Sequence, residues 1–124
     1  MAKSIPLFVY GTLKRGDIRA PLLAGQMFLE NAETTPLYRL FNVGTYPAMV
    51  EAEPLGMQGL AIQGELWHVD EACLERLDIE EGVDEALYER KLIKLADGQQ
   101  AWSYLFLHSV DGLADCGDRW VSAC

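Results

Sequence analysis

Apolar positions occur along this chain in short blocks, and their spacing changes character once, near residue 70. Before that point the blocks are runs or alternations rich in β-branched and aromatic residues, cut by glycine and proline, a pattern that predicts short strands. Ile5, Leu7, Phe8 and Val9 carry the first strand, in SIPLFVY, and Gly11 bounds it. KRGDIRAPLLAG then reads as a loop with a short helical turn, Asp17 being a candidate N-cap. Two strands are expected at about 26–33 and 37–43, followed by an irregular loop interrupted by Gly44 and Pro47. GLAIQGELWHV predicts a further strand, which Asp70 closes.

From Asp70 the period becomes helical. Asp70 is placed to cap the helix, Glu71 gives an acidic first turn, and Gly82 supplies the stop. Cys73, Leu74 and Leu77 fall on one face. YERKLIKLADGQQAWSYLFLH then reads as a hairpin about Asp97-Gly98. The tail, SVDGLADCGDRWVSAC, is expected to hold a short helical piece. The sum is about six or seven short strands with two or three short helices, mostly in hairpin order. That predicts a single α+β domain over residues 1–124: a small mixed, mostly antiparallel β-barrel with a few short helices, closure removing exposed edges.

Composition narrows the function. Half of the 124 residues are hydrophobic, enough for a real core, and the formal charge is −9. Nucleic acid and anionic membranes are therefore not expected as partners, since both select clustered Lys and Arg. The N-terminus lacks the pattern of a signal peptide, and no apolar run approaches the ~20 residues of a membrane span. Cys73, Cys116 and Cys124 include no C-x-x-C pair, so free thiols and a cytoplasmic location are expected. His68 and His108 lack a second ligand at metal-site spacing, and neither dinucleotide nor P-loop glycine patterns occur, so no metal or cofactor is expected.

What remains is a run of carboxylates at the helix end: Asp78, Glu80, Glu81, Asp84 and Glu85. A solvated acidic surface is one reading. The helix C-terminus carries partial negative charge, however, so carboxylates there are disfavoured and their pKa values are pushed up. At about 100° per residue, Glu81 lies roughly 30° from the direction of the apolar face, Glu80 about 65° and Asp78 about 95°. Glu81 is thus the acid expected to be buried, with a pKa suited to taking and returning a proton. At the other end of the chain, Gly11 lets the amides of the Tyr10–Leu13 turn approach an anion or oxyanion; a plain strand-to-loop turn is the alternative. Lys14 and Arg15 either steer an acidic substrate or are solvated loop charges.

Taken in order, FVYGTLKRG, GTYPAMV, GELWHVDEACLERLDIEEG and LYERKLI resemble the γ-glutamylcyclotransferase-like superfamily, most closely its γ-glutamylamine cyclotransferases. The resemblance spans nearly the whole chain. It implies that the turn of Tyr10, Gly11, Thr12 and Leu13 holds the glutamyl end of a substrate, that Glu81 is the catalytic carboxylate, and that Tyr88 and Tyr104, with Trp102 beside it, stand at the pocket. It also implies release of 5-oxoproline and a free amine from a small γ-glutamyl substrate, without cofactor, by a monomer or homodimer. The chain departs from the family in having Glu80 where an aromatic residue is common, and Asp118-Arg119-Trp120 where the last two are usually exchanged. A non-catalytic module binding a γ-glutamyl or amino-acid ligand is the alternative reading.

Overall fold

The computed structural model describes residues 4–121. Its strands are β1 (Ile5–Val9), β2 (Met27–Glu33), β3 (Tyr38–Asn42), β4 (Pro47–Glu51), β5 (Gln63–Val69), β6 (Tyr88–Lys94), β7 (Gln100–Phe106) and β8 (Ala114–Gly117), with one α-helix, α1 (Glu71–Glu80), between β5 and β6. Short 3-10 turns lie at Ala20–Leu23, Glu53–Leu55 and Val83–Glu85. The expected α+β class holds. Five strands form a sheet in the order β2-β5-β1-β7-β6, and three form a second in the order β4-β3-β8. Every pairing is antiparallel except β1 with β7.

The two sheets do not join into the closed barrel that the strand pattern suggested. The larger one curls instead: its opposite edges, β2 and β6, meet at an isolated Thr34–Leu95 bridge, and Ala96 N–H donates to Glu33 O beside it. Two further elements differ from expectation. The stretch around Pro47 is a strand, because a proline at its first position removes no N–H that the ladder needs. The tail forms β8, not a helical piece: it has no helical period of its own and is ordered by pairing with β3, where Arg39 and Asp115 form an ion pair at 2.8 Å.

Alternation along β1 explains its continuous apolar run. Phe8 faces a core shared with Leu40, Met49, Ile62 and Leu66, between the two sheets. Leu7 and Val9 face a second core with Cys73, Leu74 and Leu77 of α1. A central strand buried on both faces must be apolar throughout. The helix is capped as expected: the Asp70 carboxylate accepts from Cys73 N–H at 2.7 Å, and Gly82 takes a left-handed φ of 67° just past the end. The Asp97-Gly98 turn joins β6 to β7, with Asp97 accepting from Gln99 N–H at 3.0 Å. Cys73 is free and buried, whereas Cys116 is disulfide-bonded, against the expectation of free thiols; Cys124 lies outside the described residues. No helix among the described residues is long and apolar enough to cross a membrane.

The end of β1 is held at close range by β5. A Cβ on Gly64 would stand 2.4 Å from Val9 O and 2.6 Å from the Phe8 ring. Gly64→Ala is therefore expected to cost about 1–3 kcal/mol, the range for overpacking a filled interior. Urea titration measures this, and an unchanged midpoint would contradict it.

Candidate active site

A narrow cavity of about 20 Å³ lies where β1, α1 and β7 converge. Tyr10, Gly11, Thr12, Leu13, Glu81, Tyr88 and Tyr104, all expected at the site from sequence, line it. Arg19, Tyr46 and Pro47 complete much of its wall. Thr12, Arg19, Tyr46, Glu81 and Tyr88 also line a wider outer cleft of about 280 Å³, together with Ile18, Thr45, Glu80 and Leu87. The inner cavity has room for about one water, whereas the outer cleft approaches the size of a small-molecule site.

Glu81 is the residue just past α1 and keeps right-handed helical backbone (φ −85°, ψ −1°), so the helical phase extends to it. It is 8% exposed, while Glu80, one residue earlier, is open to solvent. Burial pushes the Glu81 carboxyl above the usual glutamate value; the charge and hydrogen bond of Arg19 pull it back, and the Glu80 charge adds to the upward push. The contact with Arg19 is direct, Nη2 donating to Glu81 Oε1 at 2.8 Å. Arg19 Nε donates to Thr12 Oγ1, also at 2.8 Å, and Arg19 N–H to Thr12 O. The loop after β1 thereby folds back on itself and delivers a guanidinium to the carboxylate.

Facing Glu81 is the turn at the end of β1. Among the described residues, no protein oxygen accepts from the backbone N–H of Gly11, Thr12 or Leu13. Amides left without an internal acceptor beside a cavity are available to a ligand anion. The glycine is required by close approach: a Cβ on Gly11 would stand 2.5 Å from Pro47 Cγ. So the Y-G-T and Y-P segments are packed against each other.

The tyrosines shape the cavity and do not titrate within it. Tyr10 Oη donates to Tyr104 O at 2.6 Å, Tyr88 Oη to Pro47 O at 2.7 Å, and Tyr104 Oη to Asp78 Oδ1 at 2.7 Å. Burial raises all three phenols well above the ordinary tyrosine value, helped by Tyr88 and Glu81 at Tyr10, by Glu81 at Tyr88 and by Asp78 at Tyr104, so they stay neutral. Asp78 Oδ1 also accepts from Arg90 Nε at 2.8 Å. The L-D-x-x-E and Y-x-R segments are thus one unit: Asp78 clamps α1 to β6 and β7 while Glu81, on the next turn, enters the cavity.

Three details correct the sequence reading. Trp102 is not at the cavity; it packs with the α1 core, under the Arg90 guanidinium at 4.9 Å from its ring centroid. Lys14 and Arg15 do not serve the site either: Lys14 Nζ donates to Trp120 O, and Arg15 pairs with buried Glu65 and lies over the Phe28 ring. The cation that does serve it, Arg19, carried no sequence signal beyond its presence in a basic loop.

Comparison with known proteins identifies the family and the fold. The family model described as "Gamma-glutamyl cyclotransferase, AIG2-like" matches residues 7–121. A Vibrio cholerae protein named "Putative gamma-glutamylcyclotransferase" is 37% identical over 114 residues, covering 90% of this chain and 92% of that one. A crystal structure of a uropathogenic E. coli-specific protein superposes with a TM-score of 0.80 at 26% identity, covering 95% and 93% of the two chains. An aig2-like protein from Mus musculus, at 22% identity, shares the fold, with a TM-score of 0.79 over 95% of this chain and 88% of that one.

The raised Glu81 carboxyl has a signed consequence for stability. The folded protein holds this proton to higher pH than the unfolded chain does. Wild type must therefore lose stability relative to Glu81→Gln as pH rises from the ordinary value of 4.5 through the raised one, and the difference then levels off. Urea denaturation of the two proteins across about pH 4 to 8 measures this. A stability difference that moves toward wild type with rising pH would reverse the assignment.

Proposed function

The chain belongs to the gamma-glutamyl cyclotransferase, AIG2-like family, and from that premise we propose that it converts a γ-glutamyl amine or γ-glutamyl amino acid into 5-oxoproline and a free amine. The substrate carries its own nucleophile. Its α-amine attacks its γ-carbonyl carbon, the new C–N bond closes a five-membered lactam, and the bond to the departing nitrogen breaks. The α-nitrogen passes from ammonium to lactam N–H and so loses two protons. One leaves before attack and ends on the freed amine. The other leaves the tetrahedral adduct, and the carboxylate carries it to the departing nitrogen as its bond to carbon breaks. One carboxylate that accepts and donates in turn therefore balances the step.

Glu81 is the group suited to that shuttle. It is buried, raised above the ordinary glutamate range, and among the carboxylates at the helix end it alone lines the inner cavity. The tyrosine phenols stay neutral and committed to protein acceptors, which leaves them as walls. The Gly11–Leu13 amides are placed to receive the α-carboxylate or the developing oxyanion and to hold the substrate folded back for attack. The leaving amine departs toward the outer cleft, past Glu80 and Leu87. The observation that carries this reading is the juxtaposition, in one cavity, of a buried carboxylate and unpaired turn amides.

Two outcomes are expected in an assay of 5-oxoproline release by mass spectrometry across a panel of γ-glutamyl amines and dipeptides. Glu81→Gln keeps the shape and loses about 10²–10⁴ in kcat, the usual scale of general acid–base work; wild-type turnover by this variant would sink the shuttle. Gly11→Ala moves the turn off Pro47 and lowers kcat/KM by about 10²-fold, as expected for a displacement on the order of 1 Å. Binding of the panel without product over hours would support instead a module that only holds such ligands.

A further inference from the structure

Arg19 and Glu81 form an ion pair inside a pocket whose proposed ligand brings a second pair of opposite charges. The Glu81 side chain is 9% exposed and that of Arg19 29%, so the contact is sheltered from water on the carboxylate side. Arg19 lines both the inner cavity and the outer cleft, so it stands at the passage between them. Its guanidinium uses one N–H on Thr12 and one on Glu81; its remaining donors have no protein acceptor among the described residues. A guanidinium so placed suits bidentate capture of a carboxylate.

We propose that Arg19 is a substrate-binding residue that exchanges partners: on arrival of an α-amino-acid headgroup it leaves Glu81 for the α-carboxylate, and Glu81 takes the α-ammonium in its place. This rests on the lactam-forming reading of the pocket and deepens it. Before binding, the pocket holds one cation and one anion in contact. The zwitterionic headgroup adds one of each. Alternating the four charges leaves none buried without a counter-charge, whereas keeping Arg19 on Glu81 would set the α-ammonium beside a carboxylate already neutralised. The Nε bond to Thr12 Oγ1 anchors the side chain through the exchange, so only the outer end of the guanidinium has to move.

Two consequences follow for chemistry. In the empty enzyme the base is covered by its own arginine, and it is uncovered by the group it must deprotonate. A γ-acyl amine lacking the α-carboxylate offers Arg19 nothing, so Glu81 stays covered. The selected substrate class is thus γ-glutamyl compounds with a free α-carboxylate and a free α-amine together.

The test is a cycle of two substrates and two proteins. γ-Glutamyl methylamide and its α-carboxamide counterpart both close to a lactam with loss of methylamine, and they differ only at the α-carboxylate. Wild type is expected to prefer the carboxylate by about 10- to 100-fold in kcat/KM, the range for hydrogen bonds to a charged group. In Arg19→Met that preference should shrink at least tenfold, mostly through KM. In Arg19→Lys it should be partly kept, because charge remains without the fork. Each preference is a ratio within one protein, so a reduced folded fraction cancels. An Arg19→Met protein that retains the full wild-type preference overturns the proposal, as does a wild type that shows none. If wild type forms no lactam from either compound, the parent reading falls. Calorimetric binding of the same two ligands to wild type and Arg19→Met then still decides whether the side chain and the α-carboxylate are coupled.

Discussion

Taking a carboxylate out of water costs several kcal/mol unless a cation or hydrogen-bond donors compensate it. At the carbonyl end of a helix the cost is greater, because the local dipole repels the charge. Glu81 is in both situations, and the Arg19 guanidinium is what answers it. Much of the local architecture follows from bringing that pair together. The loop after β1 turns back through the Thr12–Arg19 contacts to present the cation. The end of α1 is fixed by Asp78, held from β6 by Arg90 and from β7 by Tyr104, so that the carboxylate enters from the opposite side. Partial compensation leaves the carboxyl raised yet still ionisable, the condition a proton shuttle needs.

The second requirement is a rigid donor surface opposite that carboxylate. It is built on β1, the middle strand of the larger sheet, with packed cores on both faces. Gly11 and Gly64 are the points where side chains are excluded so that backbone can lie against Pro47 on one side and β5 on the other. The phenols of Tyr10 and Tyr88 reach backbone acceptors on β7 and β4, and that of Tyr104 ties β7 to Asp78 of α1. The tyrosine part of the cavity wall is therefore fixed to the framework of the sheets and of α1.

Much of this was legible from the chain because it is local. Helical phase carried Glu81 inward, since its backbone stays helical one residue past α1. Alternation and turn residues located β1, β2, β3, β6 and β7, and Asp70 and Gly82 bounded the helix. The misses are non-local. β8 exists through its pairing with β3, and Pro47 looked like a breaker although a strand's first residue tolerates it. Arg19 meets Glu81 across 62 positions of sequence, and nothing near it distinguishes it from Lys14 or Arg15, which the fold directs to Trp120 and Glu65. The turn's glycine was visible as a turn residue, but its steric reason, a proline ring from β4, was not.

The Thr34–Leu95 bridge has a bearing on how the molecule behaves among its own copies. Open sheet margins are templates on which another chain can add a strand, and proteins that expose them risk growth into aggregates. Where β2 and β6 lean together, each margin occupies the other's backbone groups, with Ala96 and Thr35 donating across the junction. The ribbon is fastened to itself at that end, which shortens the length of backbone on which a stranger could be seated, and a high negative charge repels further copies. The larger sheet thus covers part of its margins without completing the cylinder that its strand pattern invites.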